Sequence, residues 1–84
     1  MISLWRSDID SLAFWPSGHK GLCFVHRLAF RVLLRSNPDA VACEVYFAQR
    51  RAIFEAAAKA KIARQGLRRQ ANFHLTSRDI RSAF

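Results

Sequence analysis

Apolar residues in the first 25 positions form three short groups, Ile2–Trp5, Leu12–Trp15 and Leu22–Val25, separated by polar or glycine-containing segments. Short apolar runs bounded by such segments predict strands. Pro16 and Gly18 lie between the second and third groups, so these two groups predict an antiparallel hairpin. The second group is apolar on both faces, which indicates that a helix covers one side of the sheet.

After the third group, the apolar residues recur at the spacing of a helix. This spacing predicts a short helix at Arg27–Arg35 and a longer one at Pro38–Gln65. Asn37 is the expected N-cap of the longer helix, with proline at its first position, and Gly66 follows its last residue. At about 1.5 Å per residue the longer helix would measure roughly 42 Å.

The end of the chain predicts a last strand at Asn72–Thr76 and a terminal helical turn with Ser77 as its N-cap. These elements together predict an α+β fold, in which a small antiparallel sheet of three or four strands has two main helices packed on one face. A chain of 84 residues is expected to form a single domain, residues 1–84.

The predicted long helix is apolar on two opposite sides. We expect the side with Phe47 and Phe54 to face the core, because large rings bury the most surface. The other side could be covered by the short helix or by a second copy of the chain. This valine–alanine strip consists of Val41, Val45, Ala48 and Ala52.

Positive charge is concentrated in the second half of a chain with a net charge of +8. Residues 50–84 hold nine basic and two acidic side chains, against five and four in residues 1–49. Glu55 and Lys59 have the spacing of a helical ion pair. A basic stretch at the end of the long helix is a candidate contact for anions or for the nucleic-acid backbone. It contains Lys59, Lys61, Arg64, Arg68 and Arg69.

The cysteines and histidines favour structural roles. Cys23 and Cys43 have apolar neighbours, which predicts free buried thiols in a reducing cytoplasmic compartment. Cys23 and His26 do not combine with the isolated Cys43 and His74 into the two local ligand pairs of a zinc site. We therefore expect no metal and no cofactor. We also expect no integral membrane association, because no apolar run approaches about 20 residues.

Arg50 lies on the aromatic side of the predicted long helix and is therefore predicted to be a buried arginine. A buried guanidinium needs a partner, and Asp39, Asp79 or backbone carbonyls could supply one. Alternatively, Arg50 could bind an anion in a cleft between helix and sheet.

Several motifs occur in a characteristic order: a strand ending in Phe14, GLCFVH, a short helix with Ala29 and Phe30, FAQRRAIFEAAAKAKIA and HLTSRDI. In this order they resemble family 1488 of the domains of unknown function, a group of small bacterial proteins. The family spacing falls on Phe47, Arg50, Ile53 and Ala57. The resemblance implies an α+β fold with a small antiparallel sheet and two helices, and no known activity. The chain departs from the family pattern at His26, where a serine or threonine cap is usual, and at Phe54, where an acidic residue is common.

The sequence contains no glycine-rich phosphate loop, paired catalytic carboxylates or activated nucleophile, so no catalytic residue is nominated. We expect a small non-enzymatic protein that acts through protein contact along the valine–alanine strip, with an unknown partner or by self-association. The alternative is an accessory protein that binds nucleic acid through residues 59–69.

Overall fold

Residues 3–84 are described by a computed structural model, in which four strands and four helices form one core. Ile2, the first residue of the first predicted strand, lies outside this range. In chain order the elements are β1 (Leu4–Arg6), β2 (Ser11–Phe14), β3 (Cys23–His26), α1 (Arg27–Leu34), α2 (Ala40–Gln49), α3 (Arg51–Gln65), β4 (Phe73–Leu75) and α4 (Ser77–Arg81).

The four strands form one sheet in the order β1-β2-β3-β4. The predicted hairpin is confirmed, because β2 pairs antiparallel with β3 and places Leu12 opposite Val25. The α+β class is also confirmed. The wholly antiparallel sheet is wrong, since β4 runs parallel to β3 with Cys23 opposite Phe73. Three helices separate these strands, and a crossover of that length returns the chain to the end of the sheet where β3 began.

One face of the sheet packs on the helices and buries Leu12, Phe14, Cys23 and Val25. The aromatic side of the α2–α3 segment faces this core, as expected. The ring of Phe54 is fully buried, with aromatic neighbours on α1 and α2. Its centroid lies 5.8 Å from Phe30, 6.2 Å from Tyr46 and 5.1 Å from Phe47.

The predicted continuous helix is wrong, because α2 and α3 are separated at Arg50, which has φ −125° and ψ 30°. The Arg50 N–H is shared between the carbonyls of Tyr46 and Phe47, at 3.2 and 3.1 Å. A straight helix of roughly 42 Å would exceed the longest dimension of the fold, 33 Å. The break keeps both halves of the segment on the core.

The helix caps also shift relative to the sequence prediction. Asp39 rather than Asn37 caps α2 and accepts a hydrogen bond from the Ala42 N–H at 2.8 Å. Thr76 rather than Ser77 caps α4, where it forms a capping box with Asp79. In each case a neighbouring polar residue has the extended backbone that an N-cap requires. Gly66 ends α3 as predicted, with φ 59°.

Candidate functional site

Most of the positive charge has no acidic partner within the fold. Across residues 3–84, ion pairs join Arg6 to Asp8, Arg27 to Asp10, Arg51 to Glu55, and both Lys61 and Arg64 to Asp79. These pairs use five of the fourteen basic side chains, leaving nine without a carboxylate partner in this part of the chain. The nine are Lys20, Arg31, Arg35, Arg50, Lys59, Arg68, Arg69, Arg78 and Arg81.

The basic stretch predicted from the sequence is divided by the fold. Lys61 Nζ donates to Asp79 Oδ2 at 2.9 Å and to the His74 carbonyl at 2.6 Å. Arg64 Nη2 donates to Asp79 Oδ1 at 3.2 Å. Residues 59 and 61 are about 200° apart around a helix, so Lys59 points away from this cluster. Lys61 and Arg64 therefore attach α3 to α4, while Lys59 stays exposed.

Asp79 is the centre of that attachment, and its side chain is 12% exposed. Partial burial works against its ionisation. However, the hydrogen bonds from the Thr76 N–H, from Lys61 and from the Thr76 hydroxyl outweigh this cost, so the pKa of Asp79 lies below its ordinary value. The negatively charged Asp79 carboxylate thus connects α3, β4 and α4.

The remaining members of the predicted stretch lie beside the loop between β2 and β3. The N–H groups of Lys20 and Gly21 donate to the Arg69 carbonyl at 2.9 and 3.2 Å. On the other side of the loop, Lys59 borders a groove of about 720 Å³ together with Pro16 and Gly18. We call the following four residues the basic loop surface: Lys20, Lys59, Arg68 and Arg69.

Two further contacts hold the β2–β3 loop against residues 69–72. His19 Nε2 lies 2.7 Å from the Ala71 carbonyl, and the Leu22 N–H donates to Asn72 Oδ1 at 2.8 Å. Gly21 is required by space, because a Cβ atom there would overlap the Ala71 carbonyl. Lys20 was not predicted as part of this surface, because the contact joins residues about 50 positions apart. Gly21 was the one local signal of a close approach.

Glu55, which lines the same groove, is the predicted helical partner of Lys59, but the two form no ion pair within residues 3–84. Glu55 instead accepts from Arg51 Nη2 at 3.3 Å and from the Ser17 N–H at 2.9 Å. Each of its carboxylate oxygens therefore has a partner other than Lys59. Trp15, 46% exposed, begins the same loop and gives it an accessible aromatic ring.

Arg50 is half-buried at the break between α2 and α3, so the prediction of a buried arginine is wrong. Its guanidinium carbon lies 4.3 Å from the centroid of the Tyr46 ring, and Nη1 donates to Gln49 Oε1 at 3.4 Å. The ring takes the place of the expected Asp39 or Asp79 carboxylate, because the break turns Arg50 towards the surface.

The valine–alanine strip is open along its length. Val41 and Val45 are 66% and 50% exposed, and Ala48 and Ala52 are exposed as well. Helix α1 places its Phe30 ring against Tyr46 and Phe54 on the aromatic side and leaves the strip exposed, so the first of the two expected coverings is wrong.

Cys23 and Cys43 are both free and fully buried, as predicted. Burial raises the pKa of the Cys23 thiol far above its ordinary value and that of Cys43 to about 11. The raised pKa of each thiol favours its protonated form at neutral pH. Among residues 3–84 there is no group of three His, Cys, Asp or Glu side chains placed to hold a metal ion.

No family model, curated protein or solved structure matches this chain. The resemblance to family 1488 therefore stays a prediction. None of the helices that the structure describes has the length and apolar character needed to cross a membrane.

Proposed function

We propose that this protein is a non-enzymatic module that binds the backbone of single-stranded nucleic acid through the basic loop surface. The observation that carries the proposal is that three parts of the chain bring basic residues to the β2–β3 loop. Lys20 lies in the loop, the Arg69 carbonyl accepts its N–H, and Lys59 borders the groove that the loop lines. Within residues 3–84 none of these side chains has an acidic partner. Phosphates would supply the negative charge that the fold does not.

Trp15 favours a single strand over a duplex. Its half-exposed ring lies in the same loop as Lys20, and an unpaired base can stack on such a ring with a gain of about 1–3 kcal/mol. A single strand can place a phosphate on a cation and a base on the ring within one nucleotide step. The bases of a duplex remain stacked on each other.

The positions of the acid–base side chains support a non-enzymatic role. Asp39 and Asp79 cap helices, Glu55 binds a loop N–H, and His26 Nδ1 accepts the Leu28 N–H at 3.0 Å. Each of these groups is already engaged in holding the fold. The two buried, protonated thiols fit action in a reducing compartment such as the cytoplasm.

The test is fluorescence anisotropy of a labelled single-stranded RNA or DNA oligonucleotide, titrated at several salt concentrations. Four neutralised phosphates predict that log K falls against log salt with a slope of about −3. In the variant Lys20→Gln/Arg68→Gln/Arg69→Gln we expect the slope to shrink by about 2. Absence of binding at low salt would contradict the proposal.

A matched control removes the same charge from another surface. The variant Arg31→Gln/Arg35→Gln/Arg81→Gln should bind the oligonucleotide nearly as the unchanged protein does. If both triple variants lose affinity equally, net charge rather than the basic loop surface governs binding.

A second candidate function is protein contact along the valine–alanine strip, and the exposure of Val41 and Val45 favours it. The strip is second because two valines and two alanines offer little apolar area. Sedimentation velocity over a range of protein concentrations tests self-association, with Val45→Lys as the variant expected to abolish it. A monomer at all concentrations would remove self-association from consideration.

A further inference from the structure

A groove at the carboxyl ends of α1 and α4 is lined by three arginines. Arg31 lies in the last turn of α1, Arg35 caps that helix and Arg81 ends α4. The groove has a volume of about 690 Å³. It is built from different elements than the basic loop surface.

The side chains of this groove are mainly hydrogen-bond donors. None of the three guanidinium groups has a hydrogen bond or ion pair within residues 3–84, and no carboxylate from this range lines the groove. Asn37 also lines it, and Asn37 Oδ1 already accepts from Arg27 Nη1 at 2.9 Å. The Asn37 amide nitrogen is left as a further donor. Such a set of donors is suited to an oxyanion.

Charge and backbone conformation both favour a ligand for these arginines. Basic residues near a helix carboxyl end also complement the peptide dipole, but each of the two ends here carries at most about half a negative charge, against three positive charges. Arg35 has φ 54°, a left-handed backbone that favours glycine. The fold thus places an arginine where local conformation disfavours one.

The other side of the groove is apolar. Leu28 and Val32 line it and are 49% and 43% exposed. We propose that the groove binds a phosphomonoester, with its phosphate held by Arg31, Arg35 and Arg81 and its organic group against Leu28 and Val32. A single guanidinium group can donate two hydrogen bonds to two oxygens of one phosphate, which makes arginine the suitable residue. This inference is independent of the proposed nucleic-acid function.

Isothermal titration calorimetry with phenyl phosphate and with inorganic phosphate, at constant ionic strength, tests the proposal. We expect phenyl phosphate to bind saturably and about tenfold more tightly than inorganic phosphate, because the ring adds apolar contact. Arg31→Gln/Arg35→Gln/Arg81→Gln should weaken phenyl phosphate binding by at least about tenfold. Lys20→Gln/Arg68→Gln/Arg69→Gln should leave it within about twofold.

Arg35→Gly is a second variant in which loss of folding is not a concern, because glycine suits the left-handed backbone at this position. It should fold at least as stably as the unchanged protein and bind phenyl phosphate more weakly. Three results would overturn the proposal: no saturation by about 10 mM phenyl phosphate, equal losses in the two triple variants, or equal affinity for the two phosphates. Each can occur whether or not the oligonucleotide binds, so the two proposals fail separately.

Discussion

Asp79 shows how a single residue can hold several elements together. Its carboxylate accepts hydrogen bonds from Thr76 and Lys61 and forms an ion pair with Arg64. Replacing it by asparagine removes the charge and one of the two acceptor oxygens, so the Lys61 ammonium, 14% exposed, keeps the His74 carbonyl but loses its charged partner. We expect Asp79→Asn to lower the free energy of unfolding at pH 7 by about 1.5–3 kcal/mol, the usual value of charge-assisted hydrogen bonds.

The pH dependence of this effect has a definite sign. Because the pKa of Asp79 is lower in the folded than in the unfolded chain, its contribution is full above the unfolded value of about 3.9. The contribution disappears as the pH falls through the folded pKa. Urea unfolding of protein and variant at pH 7 and near pH 3 should therefore show a difference that shrinks in acid. Asp8→Asn is the control, since the ion pair of Asp8 with Arg6 is open to water. A difference that persists unchanged in acid would contradict this account.

At the residue scale, the burial of apolar side chains was predictable, whereas the burial of Arg50 and the partners of the charged residues were not. The spacing of Phe47 and Phe54 on one helical side placed both rings in the core, and the apolar neighbours of Cys23 and Cys43 placed both thiols there. The partners of Lys61 and Arg50 depend on where α4 and the helix break lie in space. Neither of these is encoded by nearby residues.

At the element scale, the contact between the β2–β3 loop and residues 69–72 rests on Gly21. A methyl group at Gly21 would overlap the Ala71 carbonyl, and backbone cannot move aside as a flexible side chain can. We expect Gly21→Ala to cost about 1–3 kcal/mol, as overpacking does. It should also speed hydrogen exchange at the Lys20 amide, whose acceptor is the Arg69 carbonyl.

Gly66→Ala is the matched control for this prediction. Gly66 has φ 59° but open space around its Cα, so alanine there meets only the left-handed strain of about 1–2 kcal/mol. It should leave the exchange of the Lys20 amide unchanged. Exchange at Lys20 that is the same in both variants would show that Gly21 does not hold the loop.

The elements themselves were mostly predictable, and their ends less so. Strand positions followed from short apolar groups and the end of α3 from Gly66. The break at Arg50 has neither proline nor glycine to mark it. A straight helix of roughly 42 Å would be longer than the 33 Å fold, which no residue near Arg50 indicates.

At the scale of the whole molecule, the parallel pairing of β4 with β3 is the main feature that the sequence left open. Apolar and polar residues alternate along β4, and this alternation is the same for a parallel and an antiparallel strand. The direction goes with the long helical crossover, in which α1, α2 and α3 separate β3 from β4. Element types are therefore local properties of this chain, while topology is a property of its packing.

The core joins every element, so one buried ring should govern the stability of the whole chain. Phe54 contacts rings on α1 and α2 and is fully buried. Phe54→Ala is expected to cost about 3–5 kcal/mol, a large share of the roughly 4–13 kcal/mol typical of a domain this size. Since each kcal/mol shifts Tm by about 4–8 °C in such domains, we expect calorimetry to show Tm lowered by at least about 12 °C. Val41→Ala, at a position 66% exposed, should change stability by no more than about 0.5 kcal/mol. If the two variants had the same Tm, the ring cluster would not be the common core that connects the sheet to its helices.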